Sequence, residues 1–356
     1  MKLGMGLYRW QLNPADLRFA RQAGATHIIA HYADYRRTLS HRAMAGAIGD
    51  ASGDPPVPVG EKWTREELAE LRGLVESEGL KLEAIENFEP SFWNEILLDG
   101  PGRARQIENL KSIIRDMGAV GIPVLGYNFS ITGVFGRVIR PVARAGAMAP
   151  SFRQAELPDD PMPIGVVWDT RVAEGSGLLD PPTGEELWQR LEAFLRDLLP
   201  VAEEANVKLA AHPPDPPVPL LRGVPQLMLQ PRDCQRLLDL VPSSSNQLEF
   251  CQGTLSEMTG ESSVYKAIET YARQGKIAYV HFRNVRGHVP DYDETFVDEG
   301  DVDMVKALRL YGKYGYRGVV MPDHAPAMNC LAPWHAGMAH ALGWIGGVLK
   351  ALDLLE

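Results

Sequence analysis

Four short apolar segments in the second half of the chain each end in a side chain that can bind a metal ion or move a proton. They recur at roughly the spacing of one strand and one helix in a (β/α)8 barrel, in which the carboxyl ends of all strands meet on one face. One thiolate, one carboxylate and two or three imidazoles can therefore converge on a single ion. The segments read Lys208-Leu-Ala-Ala-His212, Gln247-Leu-Glu-Phe-Cys251, Ala278-Tyr-Val-His281 and Gly318-Val-Val-Met-Pro-Asp-His324.

The mixture of side chains indicates which ion such a site would take. Thiolate and imidazole ligands suit Mn²⁺, Fe²⁺, Co²⁺ or Zn²⁺, whereas Mg²⁺ and Ca²⁺ prefer shells made only of oxygen. A single histidine at a strand end is more often structural, and a lone cysteine more often fills apolar space. The position of Cys251 between segments that end in His212 and His281 favours a ligand. Cys234, on a predicted helix, and Cys330, in a loop, are interpreted as structural.

Cationic side chains near the same strand ends could recognise an acidic substrate. Arg283 and Asn284 closely follow His281. The planar fork of a guanidinium group binds a carboxylate through two hydrogen bonds, so we expect both residues to contact one. Arg9 follows the first predicted strand, and Arg137 lies in the long connection after the fourth. Further polar side chains at predicted strand ends, which could equally cap loops, are His31, Glu86, Asn87, Tyr127 and Asn128.

The elements that must position these side chains are strands in alternation with helices. Near-continuous apolar runs are typical of a parallel sheet that helices cover, rather than of an antiparallel sheet with one wet face. Strict alternation of eight strands with helices predicts an α/β fold, a (β/α)8 TIM barrel, rather than an open doubly wound sheet. The predicted strands are Leu3–Tyr8, His27–Tyr32, Leu82–Phe88, Val124–Phe129, Lys208–His212, Gln247–Cys251, Ile277–Phe282 and Val319–Pro322.

We expect residues 1–356 to form one domain, because barrels with insertions reach this length. Two long connections rich in Gly, Pro and Ala, at about 36–62 and 130–185, follow strands and are interpreted as lids or binding loops. Gly4-Met-Gly6 opens like a dinucleotide fingerprint, but position 9 is arginine where the third glycine would stand. No nucleotide cofactor is therefore expected.

Composition excludes several classes of partner. A formal net charge of −10 argues against binding to nucleic acid or to an anionic membrane, because both need clustered Lys and Arg. The first ten residues do not form a signal peptide, and the apolar segment Ala339–Leu355 is interrupted by charges and too short to span a bilayer. Three cysteines give no disulfide framework. The sequence predicts a cytoplasmic protein that acts on a small molecule.

At this point the motifs resemble those of the mannonate dehydratase family, metal-dependent sugar-acid dehydratases with a xylose-isomerase-like TIM barrel. The resemblance extends from Met1 to Lys350, apart from parts of the two long connections. Taken together and in order, the motifs are specific, although each alone is weak. They are Gly121-Ile-Pro-Val-Leu-Gly-Tyr-Asn-Phe129, Ala211-His-Pro-Pro-Asp215, Phe250-Cys-Gln-Gly253, His281-Phe-Arg-Asn-Val285 and Met321-Pro-Asp-His324.

The resemblance implies a metal-dependent hydro-lyase that converts D-mannonate to 2-keto-3-deoxy-D-gluconate in hexuronate breakdown, and a possible homo-oligomer. It implies Mn²⁺ or Fe²⁺, with Co²⁺ or Zn²⁺ as alternatives, and His324 in acid-base chemistry. Arg283 is expected to take part in catalysis. The metal ligands that it implies are His212, Cys251, His281 and Asp323. The residues that we expect to contact the sugar acid are Arg9, Asn128, Arg137, Arg283 and Asn284.

Two departures from the family pattern keep other functions open. Phe135-Gly-Arg137 stands where the family has Trp-Thr-Arg, and Met338-Ala-His340 stands where it has Tyr-Asp-Arg. The substrate could therefore be a related sugar acid. Two alternatives remain: a metal-dependent sugar isomerase or epimerase on the same barrel, and a catalytically impaired sugar-acid binding protein. A metal phosphodiesterase that acts on DNA is disfavoured by the acidic charge.

Overall fold

The computed structural model describes residues 1–37, 60–259 and 261–356. The strands are β1 Lys2–Tyr8, β2 His27–His31, β3 Lys81–Glu86, β4 Val124–Tyr127, β5 Arg137–Ala143, β6 Ala147–Arg153, β7 Val166–Val167, β8 Thr170–Arg171, β9 Lys208–Ala211, β10 Leu220–Leu221, β11 Val224–Pro225, β12 Asn246–Cys251, β13 Ile277–His281, β14 Asn284–His288, β15 Asp291–Thr295 and β16 Val319–Met321. The α-helices are α1 Pro14–Gln22, α2 Arg65–Ser77, α3 Pro90–Leu98, α4 Arg103–Val120, α5 Gly184–Glu204, α6 Pro231–Leu240, α7 Gln252–Thr259, α8 Glu261–Arg273, α9 Met304–Lys313 and α10 Pro333–Ala351. Short 3-10 turns lie at Arg9–Gln11, Tyr35–Arg37, Arg144–Gly146 and Gln154–Glu156.

Eight parallel strands close into a barrel in the order β1-β2-β3-β4-β9-β12-β13-β16, with β16 paired to β1. This confirms the predicted (β/α)8 fold. Each predicted strand is present, and its ends differ from the observed ones by at most two residues. The strands could be predicted because both faces of a parallel sheet are buried, which requires continuous apolar runs.

The helices around the barrel begin at capping residues. Thr64 caps α2, since its hydroxyl accepts from the amide of Glu67 and the Glu67 carboxylate accepts from the amide of Thr64. Asp303 caps α9 by accepting from the amide of Lys306. Behind these caps the helices bury an apolar stripe against the sheet, for example Leu68 and Val75 of α2.

The barrel interior combines apolar side chains with a fully buried carboxylate and phenol. Gly126 on β4 leaves the room that these polar groups occupy. A Cβ atom at this position would lie 2.3 Å from the Tyr279 hydroxyl and 2.5 Å from Oε2 of Glu249. The apolar side chains that fill the interior are Ile29, Ala84, Val124, Ala210, Tyr279, Val319 and Met321.

A four-stranded antiparallel sheet, in the order β14-β15-β6-β5, adjoins the site. Two of its strands lie within the connection 130–185, which the sequence predicted only as a lid or binding loop, and the other two follow β13. Phe152 of β6 stacks on Tyr292 of β15 with ring centroids 5.4 Å apart. The second long connection is therefore partly strand. Most of the first predicted insertion, 36–62, lies outside the described residues.

Within the described ranges, no helix has the combination of length and apolar character that crossing a bilayer requires. The single-domain assignment of residues 1–356 stays a prediction.

The close approach at Gly126 generates a stability prediction. Gly126→Ala should lower the free energy of unfolding by about 1–3 kcal/mol, because the added methyl group collides with two buried polar side chains. Gly73→Ala is the matched control. It lies in α2 with no heavy atom within 4 Å of the new Cβ, and alanine favours a helix by up to about 1 kcal/mol. Urea denaturation of the two variants should give opposite signs. Equal stability of Gly126→Ala and the parent would contradict this packing.

Candidate metal and active site

Three of the four predicted metal ligands converge at the carboxyl ends of the barrel strands. Cys251 ends β12 and pairs with His281 at the end of β13, while His212 follows β9, the neighbouring strand on the other side. One ligand atom from each side chain lies within 4.8 Å of the other two. Parallel register thus brings together residues that are far apart in sequence.

The surroundings of Cys251 favour its thiolate form. Burial alone would raise its pKa, but the guanidinium of Arg283 and the imidazole of His212 outweigh burial and hold the pKa well below its usual range. The side chain is fully buried, and its sulfur accepts from the hydroxyl of Thr254 at 3.1 Å. A thiolate is the form of cysteine that binds metal.

The two ring nitrogens of His281 differ: Nε2 contacts carboxylates, whereas Nδ1 makes no hydrogen bond among the described residues. Its Nε2 lies 3.1 Å from Glu86 and 3.2 Å from Glu249. Its Nδ1 is buried and has no hydrogen-bond partner among the residues that the structure describes. Carboxylates in this position fix the tautomer of a ligating histidine. They leave Nδ1 as the atom that a cation would use.

His212 completes the group from the opposite side. Its Nδ1 is hydrogen-bonded to the carbonyl oxygen of Pro213, and its Nε2 lies 3.9 Å from Glu249. Burial would lower the pKa of His212, but Glu249 and Cys251 raise it to about 9. A bound cation would displace that proton, as metal binding does at histidine ligands. One thiolate and two held imidazoles therefore fit a divalent cation of the borderline class.

Asp323, the fourth predicted ligand, stands just outside this group. Its carboxylate lies 3.6 Å from Nδ1 of His281 and 3.1 Å from Nε of Arg283. Burial would raise its pKa, yet His324 and His281 hold it well below the usual range. It is therefore an anion at the same rim. Ligation by Asp323 stays a prediction.

Arg283 is the most heavily paired side chain of the site. It is 2% exposed, and its guanidinium contacts carboxylates from four separate segments of the chain. The contacts are Asp215 through Nη2, Glu257 at 2.6 Å, Asp323 at 3.1 Å and Glu294 at 3.2 Å. The residue does not line the cavity. These contacts support a positioning function, and the predicted contact with substrate stays a prediction.

His324 is paired with a carboxylate that sequence reasoning missed. Its Nδ1 lies 2.9 Å from Oε2 of Glu294 on β15, and Glu294 is in turn held by Arg137 at 2.8 Å. His324 lines the cavity. The antiparallel sheet thus fixes the orientation of the predicted acid-base residue.

The predicted substrate contacts divide into two sets. Arg137 and Asn128 line the cavity, and Nε of Arg137 is buried without a hydrogen-bond partner among the described residues. Arg9 instead contacts Tyr32 and Glu89, and it does not line the cavity. The side-chain amide nitrogen of Asn284 donates hydrogen bonds to the backbone carbonyls of Val297 and Val302, in the segment that follows β15. For these two residues a substrate contact stays a prediction.

The cavity joins these groups to a second, partly aromatic wall at the ends of the first strands. Trp168 from the second insertion also contributes, and the wall carries polar atoms that could meet hydroxyl groups. The residues that line the cavity are Tyr8, His31, Tyr35, Glu86, Asn87, Asn128, Gly133, Val134, Phe135, Gly136, Arg137, Trp168, His212, Asp215, His281, Asp323 and His324.

The residues that depart from the family pattern lie in different parts of the structure. Phe135 lines the cavity, and the guanidinium of Arg222 lies 4.6 Å above its ring. Met338 is buried in the hydrophobic core, and His340 pairs with Asp298 at 3.4 Å. Neither residue of α10 lines the cavity.

Sequence reasoning missed four carboxylates of the site. Glu249 was inside a correctly predicted strand, two residues before Cys251, so alternate facing could have placed it in the barrel. Asp215 ends the motif Ala211-His-Pro-Pro-Asp215, but no function was predicted for it. Glu294 lies on a hairpin strand that is too short to show a clear alternation of apolar and polar residues. Glu257 lies on a helix. Asp215, Glu257 and Glu294 meet at Arg283 in the structure, and no local pattern in the sequence identifies them as its partners.

Comparison with known proteins gives a consistent result. The family model described as D-mannonate dehydratase (UxuA) matches residues 1–162 and 180–353. The mannonate dehydratase of Streptococcus suis (strain 05ZYH33) is 31% identical over 296 residues, 80% of each chain. That of Thermotoga petrophila is 30% identical over 366 residues, covering 94% of this chain and 98% of its own length.

Solved structures agree with the sequence comparisons. The crystal structure of mannonate dehydratase from Streptococcus suis serotype 2 superposes with a TM-score of 0.79 at 26% identity, covering 100% of this chain and 95% of the other. A structure of L-ribulose 3-epimerase superposes with a TM-score of 0.58 at 16% identity, covering 99% and 95%. The second likeness concerns the fold alone.

The arrangement of Cys251 predicts a specific loss of metal. Cys251→Ala should lower metal affinity by more than the roughly 10–100-fold that loss of an outer contact costs, because a direct ligand disappears. Elemental analysis after dialysis against Mn²⁺ measures this effect. Cys234→Ala is the control, since Cys234 is equally buried but lies on α6. Full metal occupancy of Cys251→Ala would remove Cys251 from the ligand set.

The contacts of Arg283 predict loss of stability rather than only weaker substrate binding. Arg283→Met should cost about 3–5 kcal/mol of unfolding free energy, because buried carboxylates lose their counter-charge. Arg153→Met removes the partly exposed pair with Asp293 of the same sheet and should cost about 0–1 kcal/mol. Thermal and urea denaturation compare them. A stable Arg283→Met variant with only a raised KM would favour a substrate contact instead.

Proposed function

The chain belongs to the D-mannonate dehydratase (UxuA) family, so it is a hydro-lyase, and we propose that it removes water from D-mannonate or a related sugar acid. The product of D-mannonate would be 2-keto-3-deoxy-D-gluconate, in the breakdown of hexuronates. The observation that carries the proposal is one cavity lined by His212 and His281, which with Cys251 could hold a cation, and by His324, which pairs with Glu294.

The donor atoms support Mn²⁺ or Fe²⁺ as the resident ion, with Co²⁺ or Zn²⁺ as alternatives. His212, Cys251 and His281 would hold it, and Asp323 is the nearest carboxylate to that group on the β16 side. A divalent cation bound there supplies Lewis-acid stabilisation of the negative charge that builds up on the substrate carboxylate.

Arg137 is suited to anchor the carboxylate of the substrate. Its Nη1 is already held by Asp215 and Glu294, so the guanidinium group is rigid, while its buried Nε has no partner among the described residues. A fixed donor that faces a cavity costs little reorganisation when an anion binds. Asp215, which pairs with Arg137 at 3.0 Å, follows His212 by three residues in the chain.

The hydroxyl groups of the sugar chain would face the other wall. Asn87 there has a left-handed backbone with φ of 64°, and its amide nitrogen donates to the Tyr35 hydroxyl at 2.7 Å. Its Oδ1 is buried and unpartnered among the described residues. Strained backbone of this kind persists where the surrounding structure requires it. Oδ1 of Asn87 can accept a hydrogen bond from a substrate hydroxyl.

His324 is placed to remove the proton on C2. Its Nδ1 is fixed by Glu294, and it adjoins Asp323 on the side of the metal ligands, where the carboxylate end of the substrate would lie. A positioned base of this type contributes about 10²–10⁴-fold to a rate. Glu294 fixes the ring and stabilises the imidazolium that forms.

Location and assembly are further proposals. A cytoplasmic location is supported by cysteines that are all unpaired, Cys234, Cys251 and Cys330. A homo-oligomer stays an expectation from the resemblance, and the partner that the cavity supports is a small sugar acid.

The activity itself is directly testable. Protein loaded with Mn²⁺ should convert D-mannonate to an α-keto acid, which a semicarbazide absorbance assay detects and mass spectrometry shows to be lighter by one water. A panel of other aldonates and ketoses separates dehydration from isomerisation or epimerisation, which leave the mass unchanged. Binding of D-mannonate that raises Tm without any turnover would instead indicate a sugar-acid binding protein.

A further inference from the structure

A second histidine–carboxylate pair lies in the same cavity as His324. His31 ends β2, and its Nδ1 lies 3.2 Å from Oε1 of Glu86 at the end of β3. The residue is 7% exposed, yet it lines the cavity. This pair has the same construction as His324 with Glu294, and the proton chemistry described so far does not use it.

The ring of His31 is held in one orientation. It packs on Tyr8 with ring centroids 4.9 Å apart, and Tyr35 meets its edge at 6.4 Å. Its Nε2 edge lies over Gly6 of β1, where a Cβ atom would be only 2.7 Å from Nε2. A residue without a side chain at this position therefore makes the room for the ring. Hydrogen bonding of Nδ1 to a carboxylate leaves Nε2 as the nitrogen that can exchange a proton with a ligand.

His31 and His324 belong to strands that are two apart around the barrel. His324 follows β16, β1 comes next, and His31 stands on β2. The group that fits a cation comes from β9, β12 and β13, on the other side of β16. Both histidines also line a small recess together with Gly6 and Trp334. Glu86, which holds His31, also lies 3.1 Å from Nε2 of His281, so both histidines adjoin the group that fits a cation, and a substrate bound beside that group would meet both of them.

We propose that His31 is the general acid that protonates the departing C3 hydroxyl group, with Glu86 as its positioning residue. The inference rests on the proposed function, since it assigns a second group to the same dehydration. It makes the two histidine–carboxylate pairs a base and an acid that serve neighbouring carbon atoms.

The step balances with these two groups alone. His324 takes the proton from C2, and the electron pair of that C–H bond becomes the C2–C3 double bond. The C3–O bond breaks with its electron pair on oxygen, which takes a proton from Nε2 of His31 and leaves as water. The enol then becomes the ketone as its C2 hydroxyl loses a proton and C3 gains one. No oxidant or reductant is consumed.

A substrate with a leaving group that needs no proton tests the assignment. His31→Asn should lower kcat for D-mannonate by about 10²–10⁴-fold, the usual contribution of a general acid. Fluoride release from 3-deoxy-3-fluoro-D-mannonate, followed with a fluoride electrode, should fall less than about tenfold, because fluoride departs without general-acid help. His324→Asn should lower both rates together, because both reactions need the C2 proton removed.

His27→Asn is the matched control. His27 lies on the same strand, is equally buried and pairs with Glu83, but it sits at the opposite end and does not line the cavity. Its kinetics should match the parent. Metal content of His31→Asn should match the parent, and its Tm is measured beside that of His27→Asn. If Tm falls, His31→Gln is measured in the same way.

Several outcomes overturn the proposal. A His31 variant with the parental rate on D-mannonate removes the residue from catalysis. An equal loss on the fluorinated and natural substrates rejects proton donation to C3. Failure of the parent protein itself to dehydrate D-mannonate would reject the proposed function and this inference with it. If the parent is active and only the His31 variants behave otherwise than expected, the inference alone is rejected.

Discussion

The buried guanidinium of Arg283 is the interaction on which the site depends. It joins carboxylates that follow β9 and β16, one on helix α7 and one on the antiparallel sheet. Buried charges are tolerated only when each is paired and hydrogen-bonded. The barrel ends and the sheet must therefore be in place together, and the same contacts hold Glu294 against His324 and Asp323 against His281.

The balance of charge around this guanidinium explains why a divalent cation fits. Burial raises the pKa of Glu257 well above its usual range, although the guanidinium of Arg283 opposes this shift. The carboxylates of Asp215, Glu294 and Asp323 and the Cys251 thiolate lie together with Arg283 and Arg137, so anions outnumber guanidinium groups here. Its binding would release the protons that neighbouring anions now hold on His212 and His281 against the effect of burial.

The sequence predicts the barrel and the group of His212, Cys251 and His281 because both follow from local patterns. Continuous apolar runs mark the strands, and parallel register then brings their ends together. The antiparallel sheet and its Glu294 could not be predicted in this way. Its strands lie in two distant segments whose pairing depends on partners more than a hundred residues apart. For the same reason the sequence does not indicate that Glu257 and Glu294 pair with Arg283.

The two departures from the family pattern reach the site unequally. Met338 packs in the core and His340 pairs at the surface, so neither supplies a group to the described cavity. The histidines that line the described cavity, His31, His212, His281 and His324, lie at or just after the carboxyl ends of barrel strands. Phe135 does line the cavity, and its ring is backed by Arg222. Of the two departures, only the one at Phe135 therefore lies against the described cavity.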